Sequence, residues 1–412
     1  ISRNTRAQVR VAGLNVKGRG GNNFRSQDNR WNEINRMLFD EKVGILAVGE
    51  THLTDEQIEE IEKIYERRIR IFNSIDIETP NKGGIAVVLN RELTNIDGVT
   101  VHRLIPGRAI LLIIPWHKKR TLTVLAGYAP ADSPAENKVY WDTLTDLWLH
   151  EDLPVPDIFI ADSNLAPEPM DRLPTRKDAD MATEAYARFK RILGLKDGWR
   201  VTNPDTRAYT YISPQGSHSR IDHILVSDDL FKHCTKWDIS DVAVTTDHFM
   251  VSVRISAPGA PFIGEGRYAI PVHMTKDKLF MEYARKEGVK VNPEQVSDET
   301  TTLQSRFKEW KDKIQTFAQK RDAENVGALR EAKRTLQAQR EAILNEAAPA
   351  EGPPTAAREK ERALQAADLQ KKINKISAVQ RDRRKRKTRV RFETETETLN
   401  KFSVGLAKDR AP

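Results

Sequence analysis

The stretch Pro156-Asp157-Ile158-Phe159-Ile160-Ala161-Asp162-Ser163-Asn164 decides how the rest of the chain is read. Its apolar run, residues 158–161, predicts a buried β-strand. The run then delivers a carboxylate, Asp162, and an amide, Asn164, two residues apart. In extended backbone, residues i and i+2 face the same side, so both groups are expected at one point where a core strand reaches the surface. A carboxylate there can orient and deprotonate water, and an amide can hold the transition state that follows. The same residues also fit a strand that runs into an Asx turn, so the other strand ends must arbitrate.

Working outward, six apolar strands read as ending in polar residues of a narrow kind: Asn15, Glu50, Tyr128, Asp162 with Asn164, Asp222, and Asp247 with His248. Further strands are expected over 84–89, 99–104, 109–116, 209–212 and 249–255. Helices are expected from a cap at Asp28, from a cap at Thr54 to about Arg68, from about Glu136 to Leu149, and from about Asp180 to Leu193. The third of these should turn Val139, Trp141, Leu144 and Leu147 inward. Strands with interposed helices predict a two-sheet α/β sandwich that closes near Ala257. In α/β folds ligand sites gather where strand ends meet, which makes convergence of the six ends plausible.

The residue types fit phosphodiester hydrolysis, in which catalysis is mostly charge stabilisation and positioning. Glu50 is a hard oxygen ligand suited to Mg²⁺. His248 beside a carboxylate, Asp222 or Asp247, would stay protonated and face a phosphate oxygen. Tyr128 can donate a hydrogen bond to the same phosphate. His52 and His223 read as structural.

Composition bounds the rest. The 412 residues are 39% hydrophobic and 7% aromatic, enough for two domains. No apolar run approaches the roughly 20 residues that span a bilayer, and the N-terminal residues lack a secretory signal core. A single cysteine, Cys234, excludes an internal disulfide and a cysteine-cluster zinc site and suits a reducing compartment. Residues 1–258 hold 34 Lys+Arg against 36 Asp+Glu, whereas the remainder holds 33 against 23. The basic excess therefore lies in the C-terminal part, which favours a nucleic acid as partner. Residues 258–266 are Pro/Gly-rich and read as a linker. Residues 267–412 read as a charged helical extension. Its Leu303, Phe307, Trp310, Ile314 and Phe317 step by 4, 3, 4 and 3, a coiled-coil-like stripe. The run 381–391, including Arg384, Lys385, Arg386 and Lys387, is the densest basic segment and reads as a nuclear-localisation or nucleic-acid patch.

Asn15, Gly49-Glu50-Thr51-His52, Tyr128-Ala129-Pro130, Asp162-x-Asn164, Ser219-Arg220-Ile221-Asp222 and Asp247-His248 together resemble the endonuclease/exonuclease/phosphatase superfamily. The branch they look most like is the endonuclease domain of non-LTR (LINE-type) retrotransposons. The resemblance covers residues 8–257 with all motifs in order. It implies a four-layered α/β/β/α sandwich followed by the helical, basic extension. It implies that Asp162 activates the attacking water, that Asn164 and Asn15 orient it and hold phosphate or metal, and that Glu50, Asn15 and Asp247 serve Mg²⁺ or Mn²⁺. Asp222 would orient His248, which would stabilise the transition state, and Tyr128 would contact the phosphate. Thr210 stands where retrotransposon members carry a DNA-contacting threonine, and Arg220 joins it as a DNA-binding expectation. The implied substrate is DNA, cut to a 5′-phosphate and a 3′-hydroxyl, in the nucleus and away from membranes.

The extension is similar to the segment that leads to a reverse transcriptase in such elements, through Gly266 to Pro271, and its basic run offers a site for RNA. No polymerase Tyr/Phe-x-Asp-Asp signature appears before Pro412, which reads as a fragment or a domesticated remnant. Three positions depart from the family pattern. Ser163 replaces an aromatic, Lys17 stands near where abasic-site enzymes carry an acid, and Thr246 replaces a serine. An abasic-site endonuclease, another phosphoesterase of this fold, and an inactive nucleic-acid-binding scaffold are the alternatives.

Overall fold

Residues 43–49 are apolar without alternation, and a strand of that kind is stable only with both faces covered. In the computed structural model all seven are buried. The structure describes residues 5–395 apart from 22, 27, 28, 80–82, 243, 260–269, 271–273, 275, 276, 290, 292–302 and 347–355. The first elements are β1 (Gln8–Asn15), α1 (Arg30–Asp40), β2 (Val43–Gly49), α2 (Asp55–Ile64), β3 (Ile69–Ser74) and β4 (Ile85–Asn90). Then come β5 (Thr100–Ile105), β6 (Ala109–Pro115), β7 (Thr121–Tyr128), α3 (Pro134–His150) and β8 (Ile158–Asp162). They are followed by β9 (Arg172–Leu173), α4 (Asp180–Ile192), β10 (Leu195–Asp197), α5 (Gly198–Thr202), β11 (Tyr211–Ile212), β12 (His218–Ser219) and β13 (Asp222–Ser227). The sandwich ends with α6 (Asp228–Phe231), β14 (Cys234–Ser240) and β15 (Met250–Ser256). Beyond it lie α7 (Lys278–Val289), α8 (Leu303–Leu344) and α9 (Ala356–Glu395).

Two six-stranded sheets, ordered β14-β15-β1-β2-β4-β3 and β10-β13-β8-β7-β6-β5, stack on each other. Between them lies one apolar core that includes Val11, Ile45, Val87, Leu112, Val124, Ile160 and Val253. On the outside of the first sheet, α1 and α2 contribute Trp31, Ile34, Leu38 and Ile61. On the outside of the second, α3 and α4 contribute Trp141, Leu144, Tyr186 and Phe189. This is the expected four-layered α/β/β/α sandwich. Each large side chain so buried contributes about 1.5–3 kcal/mol relative to exposure.

Local differences have local causes. Asn29, not Asp28, caps α1, its side chain accepting from Trp31 N; Asp28 lies outside the described residues. Thr54 forms a capping box with Gln57, but α2 stops at Ile64 and the alternating Ile69–Ser74 becomes a strand. Val139 is 61% exposed, because α3 turns the Trp141 and Leu144 stripe to the sheet.

The extension is a pair of long helices, α8 and α9, packed against each other and against the sandwich. Leu173 and Tyr209 of the sandwich share a buried cluster with Leu344, Ala363 and Ala366. The stripe of α8 meets α7 instead of a coiled-coil partner: Ile314 and Phe317 pack on Met274 and Phe280, and Trp310 Nε1 donates to Ala284 O. Phe307 remains 49% exposed. Most of the expected linker, 258–266, lies outside the described residues, as does most of Gly266 to Pro271.

Candidate active site

The strand ends converge on one edge through register. β1 and β2 run parallel with Asn15 beside Gly49, and β7 and β8 run parallel with Tyr128 beside Asp162. These strands deliver their residues at their C-terminal ends. Contrary to the expectation from sequence, Asp222 and His248 do not end strands. They sit at or just before the N-terminal ends of β13 and β15, which run antiparallel to β8 and β1. The opposite direction brings them to the same edge, with Asp222 directly beside Asp162.

One chain of contacts joins the set. Tyr128 Oη donates to Glu50 Oε1 at 2.9 Å. Asn15 Nδ2 donates to that same Oε1 at 2.8 Å and to Asp162 Oδ2 at 2.9 Å. His248 Nδ1 lies 4.0 Å from Asp162 Oδ2 and 2.9 Å from Asp222 Oδ2. Asp162 is buried yet retains 6% of its exposure, so it forms the floor of the site and is not sealed off.

Asn164 behaves otherwise than strand alternation suggests. Its φ is +47°, so the extended geometry stops at Asp162. Its backbone N–H donates to Asp162 Oδ1 at 3.0 Å and its Nδ2 to Ala129 O at 2.8 Å. The first of these bonds is the Asx-turn contact, and it fixes the carboxylate. Glu50, His52 and Lys17 are also left-handed; such clustering of strained backbone is common at functional sites.

The electrostatics follow from burial and neighbours. Burial, reinforced by the Asp222 charge, raises the Asp162 carboxyl to about 7, against the opposing His248 charge. Burial alone would depress His248, but the hydrogen-bonded Asp222 carboxylate overrides it and the imidazolium is held to about 9. Burial and then the Glu50 charge push the Tyr128 phenol well up, so it stays a donor.

Among the described residues, Asp162, Asp222 and His248 offer ligand atoms within 4.8 Å of one another. A protonated imidazole has no lone pair to give, so that group does not suit a cation through His248. Asn15, expected to serve metal, bridges two carboxylates through Nδ2, and its Oδ1 accepts from Lys17 N at 2.9 Å. Asp247 is paired with Lys17 Nζ at 2.8 Å. Glu50 Oε2 makes no hydrogen bond among the described residues. Hard carboxylate oxygens in excess over nearby cations form a donor set that fits Mg²⁺ or Mn²⁺.

Two DNA-binding expectations fail on burial. Arg220 is 2% exposed and clamped by Asp171, at 2.8 Å from both Nε and Nη2, and by Asp197 at 2.7 Å. A buried guanidinium locked by interior Asp171 and half-buried Asp197 cannot reach a DNA backbone. Thr210 has no exposure, and its Oγ1 accepts from Ile221 N and Asp222 N, both at 3.0 Å. Both residues shape the 219–222 segment that aims Asp222. Arg384, Lys385, Arg386 and Lys387 fall on α9, but their side chains lie outside what the structure describes.

Sequence reasoning missed Tyr211, whose ring centroid lies 4.9 Å from that of His248. It also missed Arg108, which lies over the Tyr128 ring. Nothing in one dimension pairs them. The departures from the family pattern are accommodated. Ser163 Oγ donates to the Ile221 carbonyl at 2.8 Å and lies 2.8 Å from His223 Nδ1. Thr246 Oγ1 donates to Asn15 O at 2.7 Å.

Against solved structures, the chain resembles the AP endonuclease LMAP from Leishmania major, with 15% identity, 61% of this chain and 88% of that one covered, and a TM-score of 0.50. The fold is that of the DNase-like endonucleases. The chain is also similar to the endonuclease domain of TRAS1, a telomere-specific non-LTR retrotransposon, with 16% identity, 60% of this chain and 98% of that one covered, and a TM-score of 0.43. In sequence, 165 residues, 38% of this chain, are 32% identical to the transposon TX1 uncharacterized 149 kDa protein of Xenopus laevis. The matched part spans 12% of that relative's length. No family model matches the chain.

Proposed function

We propose that this protein is a Mg²⁺-dependent DNA endonuclease of the LINE type, which nicks one strand and leaves a 3′-hydroxyl. The observation that carries the reading is the continuous chain Tyr128–Glu50–Asn15–Asp162–His248–Asp222 along one strand edge. Asp162 takes a proton from water, and its raised pKa suits a base acting near neutrality. The oxygen attacks phosphorus, the P–O3′ bond breaks, and the 3′-oxygen leaves and is protonated. His248, kept charged by Asp222, faces the negative charge that builds on the phosphoryl oxygens. Tyr128, whose single proton is given to Glu50 in the free site, would turn it to the same group when substrate binds, and Asn15 and the Asn164 backbone hold Asp162 in line. Glu50, with Asp162 and Asp247 nearby, would hold the cation, which when bound neutralises charge on the phosphate.

The transposon relative favours the retrotransposon branch over a repair enzyme. So does the Lys17–Asp247 pair, since a lysine stands where an abasic-site enzyme would carry an acid. On this reading the longer protein includes a reverse transcriptase, the basic run of α9 contacts nucleic acid, RNA included, and the protein works in the nucleus. The test is nicking of supercoiled plasmid beside cleavage of an abasic oligonucleotide, with the ends analysed. Nicking that leaves an extendable 3′-hydroxyl and persists without abasic sites is expected. A product blocked at its 3′ end, or nicking that survives in Asp162→Ala protein, overturns the mechanism.

A further inference from the structure

Helix α9 crosses the sandwich between two anchors. At one end Glu359 accepts from Thr175 N at 2.8 Å and from Thr175 Oγ1 at 2.6 Å. At the other, Asp241 Oδ2 accepts from Ser377 Oγ of α9 at 3.0 Å and from Lys333 Nζ of α8 at 3.2 Å. Residues 359 and 377 are separated by roughly 27 Å at 1.5 Å per helical residue. Buried Arg362 donates to the Ile343 and Leu344 carbonyls, which locks α9 to the end of α8. Arg340 of α8 bonds Gln370 of α9 and lies over the ring of Phe249, the residue after His248. The hairpin of helices is therefore fastened to the segment that carries the catalytic imidazole.

Between the anchors a cavity of about 330 Å³ remains. One wall is Asp247 and His248 with the turn at Gln215 and Gly216, and the other is α9 through Lys371 and Asn374. Gly216 has φ +88°, and a Cβ there would come within 3.3 Å of Leu364 Cδ2 on α9, so the glycine keeps the turn and the helix at close approach. The volume is that of a site for one small group, far too narrow for a duplex. The acids Asp241, Asp247 and Asp368 in its lining oppose a phosphate. The amides of Gln215 and Asn374 make no hydrogen bond through their nitrogens among the described residues, and amides match the mixed donor and acceptor edge of a nucleobase. The cavity borders His248, so its occupant lies within a nucleotide or two of the scissile phosphate.

We propose that this cavity takes one unpaired nucleobase of the substrate strand, and that α9 is a wall of the substrate site. The proposal rests on the nuclease reading and names its substrate further: a strand distorted or unpaired beside the cut. The test uses the full chain and two duplexes that carry the nick site mapped on plasmid, identical except for one unpaired nucleotide beside it. The protein is expected to prefer the unpaired duplex about tenfold in kcat/KM, the discrimination one well-read base supplies. Asn374→Trp, which fills the cavity from an exposed helix position, should remove that preference, and Lys371→Ala should reduce it. Melting curves check that each variant folds. Nicking without preference, or a preference that survives in both folded variants, overturns the cavity assignment and leaves the nuclease reading standing. Failure of the unsubstituted protein to nick any duplex or plasmid overturns both.

Discussion

The Nδ1 of His248 lies 2.9 Å from Oδ2 of Asp222. The pair couples two strand starts that are 26 residues apart in sequence and belong to different sheets. It also sets a pH limit. The imidazole's folded pKa of about 9 is above its ordinary 6.5, so the stability this pairing contributes is complete below 6.5 and is lost as pH rises through about 9. Charge-dependent catalysis should fall over the same upper range. In Asp222→Asn protein the alkaline limb of the nicking profile should move to lower pH. An unmoved limb would show that another group titrates there.

Asp162→Asn keeps the size of the side chain and removes the base. The expected loss in nicking rate is about 10²–10⁴-fold, with the melting temperature unchanged or raised, because a buried carboxylate that repels Asp222 has been neutralised. Kinetics and calorimetry on the same sample decide it. The acid limb of the nicking profile should centre near neutrality, where Asp162 takes its proton.

Chelation should abolish nicking, and added Mg²⁺ or Mn²⁺ should restore it. In Glu50→Gln protein the concentration of cation needed for half-maximal rate should rise by about tenfold or more. An unchanged requirement would move the cation site away from Glu50.

Arg220→Met tests an interior role. Removing the guanidinium leaves buried Asp171 and half-buried Asp197 without their shared partner, a loss of about 3–5 kcal/mol, read as a large fall in melting temperature. A stable variant with weakened DNA affinity would return Arg220 to the DNA interface.

Deletion of residues 381–391 should weaken DNA binding and flatten its dependence on salt, because phosphates that the basic run no longer neutralises keep their counterions. Binding isotherms at several salt concentrations measure the slope. An unchanged slope would place the nucleic-acid interface elsewhere.

Much of the sandwich and of its site was legible in one dimension because burial writes itself into composition. Residues 43–49 and 158–161 are apolar without interruption since both faces are covered, and each run meets a polar residue where the cover ends. Chain direction was not legible. Asp222 reads equally well at either end of a strand until β13 is seen to pair antiparallel with β8. Exposure was not legible either. The sequence shows Arg220 as one more cation, whereas the fold surrounds it with Asp171 and Asp197 from distant segments and makes it interior.

The amino-acid sequence by itself determined which side chains were available for phosphodiester chemistry and the order in which strands deliver them, since hydrophobic periodicity and residue chemistry are local properties. Only the tertiary structure decided that Asn15 bridges Glu50 and Asp162, that Asn164 turns aside into an Asx contact, and that α9 closes one flank of the site. Those are relations between segments far apart along the chain, and they exist only once packing of the two sheets and the helical hairpin has set the distances.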